Sequence, residues 1–242
     1  MKELKNKIDE LLGKTDSSKE IQAFCGDKIH ALPFNYYECV LFHLLTEKVI
    51  SIQEYKVILS DYDKRNPYLF LFEKFGVALE NWILEEILIN KFPSLKKPSL
   101  QLDANYKKRK YDLFLAPNIK IEVKTSRAVK HRSKSSFYEK ALPLKSPDNF
   151  DMNFQQLKPD FCDVFLFTLI WRDEIEFLVL KSSEIKAEKD YSGKQHGGGE
   201  KQYEEGQLHI KRNNIEVFRE KYSSSQDEIE VKIKEAHERK PK

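Results

Sequence analysis

Apolar positions follow two different periods along this chain, and the change falls near residue 95. Before it, apolar residues recur every three or four positions, which predicts helices. One such group is Leu4, Ile8, Leu11 and Leu12, a second is Ile21, Phe24, Cys25 and Ile29, and a third is Tyr37, Val40, Leu41 and Leu44. Ser51-Ile52-Gln53-Glu54 has the form of a capping box, in which the serine accepts from a free amide and the glutamate reaches back. It opens a helix using Ile52, Tyr55 and Leu59, and Asn66-Pro67 ends that unit. A longer helix is expected over residues 69–90, stopping before Phe92-Pro93, with Phe75, Leu79, Trp82, Ile83 and Ile87 as its apolar stripe.

After residue 95 the period shortens. Residues 111–124 alternate as a hairpin does, and residues 163–171 hold a nearly unbroken apolar run of buried-strand type. Residues 175–180 pair with that run across an Arg172-Asp173-Glu174 turn. A short helix is expected at 183–189, a glycine-rich loop at 193–199 and a strand at 206–212. From Ser223 onward serine and charge dominate, which predicts a helical tail or a frayed end. The expected class is α/β (α+β), with a helical N-terminal part and a mixed sheet flanked by helices. The expected divisions are 1–66, 67–222 and a charged tail at 223–242.

A hydrophobic fraction of 40%, with aromatic residues making up 12% of the chain, is enough for a substantial core in 242 residues and excludes wholesale disorder. No apolar run approaches the ~18–20 residues of a membrane span, and the first residues lack the apolar stretch of a signal peptide. Cys25, Cys39 and Cys162 lie far apart without metal-ligand spacing, and are read as free thiols of a reducing compartment. A cytoplasmic protein without membrane attachment is the expectation. Charge changes the picture only when resolved along the chain. Residues 105–145 hold twelve Lys or Arg against three acids, a local balance of +9 in a chain of net +3, so the remainder is acidic. One surface facing a polyanion is the reading.

Ile119-Lys120-Ile121-Glu122-Val123-Lys124 lies inside that basic region. In a strand its three β-branched residues face the core, and Glu122 and Lys124 share the other face. The preceding strand, Tyr111-Asp112-Leu113-Phe114-Leu115, reverses at Ala116-Pro117-Asn118. A three-residue loop, with Asn118 in a left-handed conformation, pairs Leu115 with Ile119 and sets Asp112 opposite Glu122. A two-residue loop would put Asp112 on the wrong face. Facing carboxylates repel unless a cation lies between them, and a carboxylate pair plus waters is how Mg²⁺ is usually held. Lys124 beside them can orient or help deprotonate a water and offset phosphate charge, an arrangement suited to phosphodiester hydrolysis.

Asp112, nine intervening residues and then Glu122-Val123-Lys124 resembles the signature of the PD-(D/E)XK nuclease superfamily, most closely its type II restriction-endonuclease-like members. The resemblance implies a mixed central sheet flanked by helices, Asp112 and Glu122 as Mg²⁺ ligands with the Val123 carbonyl, and Lys124 as a catalytic residue. It also implies a glutamate from the preceding helix, for which Glu80 is the candidate and Glu86 the runner-up. Tyr111 stands where the family name has proline. The implied activity is Mg²⁺-dependent cleavage of double-stranded DNA, by a homodimer if both strands are cut symmetrically, with a cognate methyltransferase as a possible partner. The resemblance covers about residues 69–180.

Interleaved hydroxyls and cations after Lys124 suit phosphates and base edges, so Thr125, Ser126, Arg127, Lys130, His131, Arg132 and Lys134 are expected DNA contacts. Lys108 and Arg109 precede the first strand and join them. Gln195 and His196, on a glycine-rich stretch without the Gly-Lys-Ser/Thr of a phosphate loop, and Lys211 and Arg212 complete the set. Residues 43–62 fit either a helix-turn-helix reader or a plain packing pair, and the packing pair is favoured. Two other functions stay open on the sequence: a structure-selective repair or recombination nuclease of the same fold, and a DNA-binding protein without catalysis.

Overall fold

The computed structural model describes residues 36–74, 76–106, 111–134, 137–193 and 205–240. The chain forms two compact units, residues 1–65 and 66–242. In the first, α1 (Tyr36–Thr46) and α2 (Ile52–Arg65) are joined by a short turn. The capping box is formed: the Ser51 amide donates to Glu54 Oε2 at 2.8 Å and the Glu54 amide to Ser51 Oγ at 3.2 Å. Tyr55 and Leu59 are the buried residues of α2.

The second unit is a mixed sheet with helices and a smaller sheet against it. Its strands are β1 (Leu95–Lys96), β2 (Leu113–Leu115), β3 (Ile119–Arg127), β5 (Val164–Ile170), β6 (Ile175–Lys181) and β9 (Ser223–Ser224), in the order β1-β2-β3-β5-β6-β9. All neighbours are antiparallel except β3 and β5, which run parallel. Asp163 fixes that parallel register: its carboxylate accepts from the Lys120 amide at 2.9 Å, and its own amide donates to the Lys120 carbonyl at 2.8 Å. A parallel pair needs a long crossover, and this one carries β4 (Asp151–Leu157). β4 pairs with β8 (Gly206–Lys211), which pairs with β7 (Tyr191–Ser192), giving a second, three-stranded sheet that the sequence reading did not contain.

The apolar side of this small sheet covers one face of the main sheet. Met152, Phe154, Leu208 and Ile210 form a core with Phe165, Phe167 and Leu169 of β5 and Leu178 and Leu180 of β6. Phe154 meets Phe167 edge-on with centroids 4.8 Å apart. Ile121, Val123, Leu166 and Val179 point the other way by strand alternation, and all four are buried. Helices α3 (Gly76–Trp82) and α6 (Ile229–Glu238) lie against β3 and against β5 and β6, respectively, while α4 (Ser182–Ala187) follows β6 and α5 (Ile215–Tyr222) follows β8.

The single helix expected over residues 69–90 is broken. Leu69–Phe72 is a separate 3₁₀ turn, and α3 begins only at Gly76. From Ile83–Ile89 the helix widens to π geometry, where residues four and five apart share a face. Ile83 is therefore followed inward by both Ile87 and Leu88, while Glu85 and Glu86 stay exposed.

The segment after Ser223 is not a tail. β9 pairs with β6, and α6 buries Ile229, Ile233 and Ala236 completely. Its C-terminal end is held by Lys181, whose Nζ donates to the carbonyls of His237 and Arg239, as cations do at helix C-termini. Charge made these residues look solvated, but the three buried positions recur at four- and three-residue spacing. Ile233→Ala should cost about 2–5 kcal/mol in urea unfolding. A loss below about 0.5 kcal/mol would mean that the helix only rests on the sheet.

Candidate active site

The β2–β3 turn has the three-residue length expected, with Leu115 opposite Ile119 and Leu113 opposite Ile121. The Asp112 amide donates to the Ile121 carbonyl at 3.0 Å, which carries the register on and sets Asp112 against Glu122. The turn is made differently from the expectation. Asn118 is not in the left-handed region, and the peptide bond between Ala116 and Pro117 is cis.

Beyond Ile121, among the described residues, no strand pairs with β3 on its β2 side. Two carboxylates occupy the edge amides left there. Asp112 Oδ2 accepts from the Val123 amide at 2.8 Å, and the Glu80 carboxylate, reaching from α3, faces the Thr125 amide, which favours its charged form. Those amides are about 6.6 Å apart along a strand. The N–H and C=O of one strand residue point to the same side, so the Val123 carbonyl also faces this open edge, between the two carboxylates. Glu122 and Lys124 stand on the face next to it, with Nζ 2.9 Å from Oε1.

Burial controls the charges of this group. In the parallel register Glu122 neighbours Phe165 and Lys124 neighbours Phe167, so both lie beside the covered aromatic core, and their side chains are only 13% and 12% exposed. Desolvation, helped by the charges of Asp112 and Glu80, pushes the Glu122 carboxyl up to about 7 against the pull of Lys124. Burial likewise raises Asp112, opposed by the Val123 amide and Lys124, and raises Glu80, opposed chiefly by Lys124. Burial alone would lower Lys124, but Glu122, Glu80 and Asp112 together hold it above its ordinary value. These carboxylates favour the charged form of Lys124, which can orient a water.

Three carboxylates share one cation, which leaves an excess of negative charge in a poorly hydrated place. Among the described residues, no three His, Cys, Asp or Glu side chains form a ready-made metal cage. The donor set still fits Mg²⁺, which takes one or two carboxylates and keeps several waters. Glu86, exposed on the π turn, is not part of the group.

The expected DNA contacts divide. Arg127 points away from solvent: its Nη1 donates to the carbonyls of Leu71, Phe72 and Lys74 at 3.3, 3.0 and 2.8 Å, and Phe137 covers it at 4.5 Å. Thr125 Oγ1 is buried without a partner. Both residues alternate onto the helix-covered side of β3, so neither is placed to contact DNA, contrary to the expectation. Ser126 is half-buried on the Lys124 face. His131, Arg132 and Lys134 are exposed, and Lys130 pairs with Asp148 at 3.2 Å. Lys211 approaches Asp151 at 4.0 Å, and Arg212 lies 5.6 Å from the Phe150 ring. Because Lys130 bridges to Phe150 and the His131 amide to Asn149, these two basic clusters meet. Lys108, Arg109, Gln195 and His196 lie outside the described residues.

Sequence reasoning missed the supports. Lys120, on the Glu122 face, pairs with Asp103 at 2.9 Å, and Tyr111 donates to the same carboxylate at 3.3 Å. That role explains a buried tyrosine before Asp112, and nothing in the spacing of residues 103 and 120 signals it. His209 meets Asp151 at 2.8 Å across β4 and β8, a pairing visible only once the small sheet is known.

No protein-family model matches this chain, and a search of curated proteins finds no match.

The raised Glu122 fixes a pH dependence. A carboxyl bound more tightly to its proton when folded contributes stability below its unfolded pKa, near 4.5, and loses it as pH rises through about 7. Wild-type unfolding free energy should fall between pH 5 and 8 by about 1–3 kcal/mol more than that of Glu122→Gln, measured in metal-free buffer. Parallel curves would remove the assignment.

Proposed function

We propose that the protein is a Mg²⁺-dependent DNA endonuclease of restriction-endonuclease-like fold, cutting duplex DNA at a specific sequence as type II enzymes do. The observation that carries this reading is the convergence of Glu80, Asp112, Glu122 and Lys124 at a stretch of β3 edge that, among the described residues, no strand pairs. The mixed sheet flanked by helices is consistent with it.

Asp112 and Glu122 would hold the metal, with the Val123 carbonyl and Glu80 at the same edge, and the ion would acidify a water and polarise the phosphoryl group. Lys124, charged, donates hydrogen bonds to the attacking water and offsets the negative charge that builds on phosphorus. Glu122 holds Lys124 in place through the 2.9 Å pair. The aromatic core beside both residues excludes water, so each of these interactions acts at low dielectric. The exposed His131, Arg132 and Lys134, with Lys211 and Arg212, supply the phosphate contacts of a duplex. A homodimer would present two such sites to the two strands, and a methyltransferase of the same specificity would protect host DNA.

Digestion of unmethylated phage DNA tests this reading. Wild type should give discrete fragments only with Mg²⁺, and Asp112→Ala and Lys124→Ala should each lower the rate by about 10²- to 10⁴-fold. A Mg²⁺-dependent smear would keep the nuclease and remove sequence specificity. A folded protein that binds DNA and cleaves neither plain nor branched substrates would leave a DNA-binding function.

A further inference from the structure

Glu80 has a weak local hold. It is the fifth residue of a seven-residue helix that passes directly into π turns, and its carboxylate is buried at a cost. So short a helix does not fix its own position along a sheet. Two contacts to β3 do so. One is the Thr125 amide, which meets the Glu80 carboxylate itself. The other is Arg127, two residues further along the same strand side, whose Nη1 gathers the carbonyls of Leu71, Phe72 and Lys74. Those carbonyls are the end of the 3₁₀ turn and the lead into α3, so Arg127 anchors the chain immediately before the helix. Phe137, stacked at 4.5 Å, shields the guanidinium from water.

We propose that Arg127 is a positioning residue for Glu80. By pinning the lead into α3 to the end of β3, it sets the height of the helix along the strand, and with it the place of the Glu80 carboxylate beside Lys124 and Asp112. A guanidinium suits this task, since Nη1 reaches the three neutral carbonyls while the delocalised group stays against the Phe137 ring, a combination that the more strongly hydrated, compact lysine ammonium does not match. The positioning of Glu80 stands on the contacts alone; only its consequence for metal binding rests on the nuclease reading.

The test uses full-length ¹⁵N-labelled protein as wild type, Arg127→Ala, Arg127→Lys, Glu80→Gln and the double variant Glu80→Gln/Arg127→Ala. The Thr125 amide resonance reads the Glu80 contact without metal, and calorimetry with Mn²⁺ reads the site with it. Glu80→Gln and Arg127→Ala should shift the Thr125 resonance in the same direction, and the double variant no further than Glu80→Gln. Mn²⁺ affinity should fall about tenfold in Arg127→Ala, the scale on which residues supporting metal ligands act. It should fall no further when Arg127→Ala is added to Glu80→Gln, whereas a merely structural arginine would give additive losses. Arg127→Lys keeps the charge and supplies the same comparison if the alanine variant does not fold. A wild-type Thr125 resonance and Mn²⁺ affinity in either folded Arg127 variant, or additive losses in the double variant, would overturn the proposal. Wild-type protein that binds Mn²⁺ but leaves DNA intact would remove the nuclease reading and not this one. If wild type binds no Mn²⁺, the metal reading fails and the Thr125 resonance alone decides the role of Arg127.

Discussion

Burying three carboxylates around one ammonium is the constraint on which the rest of this unit depends. Left to water, Glu80, Asp112 and Glu122 would repel and separate. Here each is held by a separate structural device. The three-residue hairpin turn sets Asp112 over the edge of β3, strand alternation puts Glu122 and Lys124 on one face, and α3 delivers Glu80 to the next edge amide. The small sheet then covers the aromatic neighbours Phe165 and Phe167, which keeps water away from the group. Such an arrangement costs stability in the resting protein and leaves a site that gains by accepting positive charge.

Those devices are unequally visible in the sequence. The register between Asp112 and Glu122 is legible because side chains alternate strictly along strands, so a turn of known length leaves one solution. The capping box at Ser51 is legible because both partners lie within three residues. Choosing Glu80 over Glu86 is harder, since both sit on an apparently continuous helix. The π widening after Trp82 is what turns Glu86 outward, and no residue pattern before it announces that change.

What stayed hidden is non-local. Arg127 sits in a run of hydroxyls and cations that reads as a polyanion contact, yet alternation puts it on the helix-covered side, where the backbone carbonyls of Leu71, Phe72 and Lys74 accept from its guanidinium. Thr125 follows it inward for the same reason. The pairing of β4 with β8 joins residues about fifty to sixty positions apart, and neither strand carries a turn signal toward the other. Charge misled at the C-terminal segment, where the Lys and Glu residues of α6 outnumber the three apolar residues that anchor it.

That last helix orders events during synthesis. Residues 229–238 cover β5 and β6, strands complete some fifty residues earlier in the chain. While the ribosome is still adding them, the apolar side of β5 and β6 that they will cover remains bare, and the nascent unit resembles an unfinished product more than a mature one. A polypeptide broken off before residue 229 would keep every member of the Glu80, Asp112, Glu122 and Lys124 group and still be marked by that bare side for chaperones and proteases. Quality control in the cell would thus judge the molecule by residues 229–238, far along the chain from the buried carboxylates and their lysine.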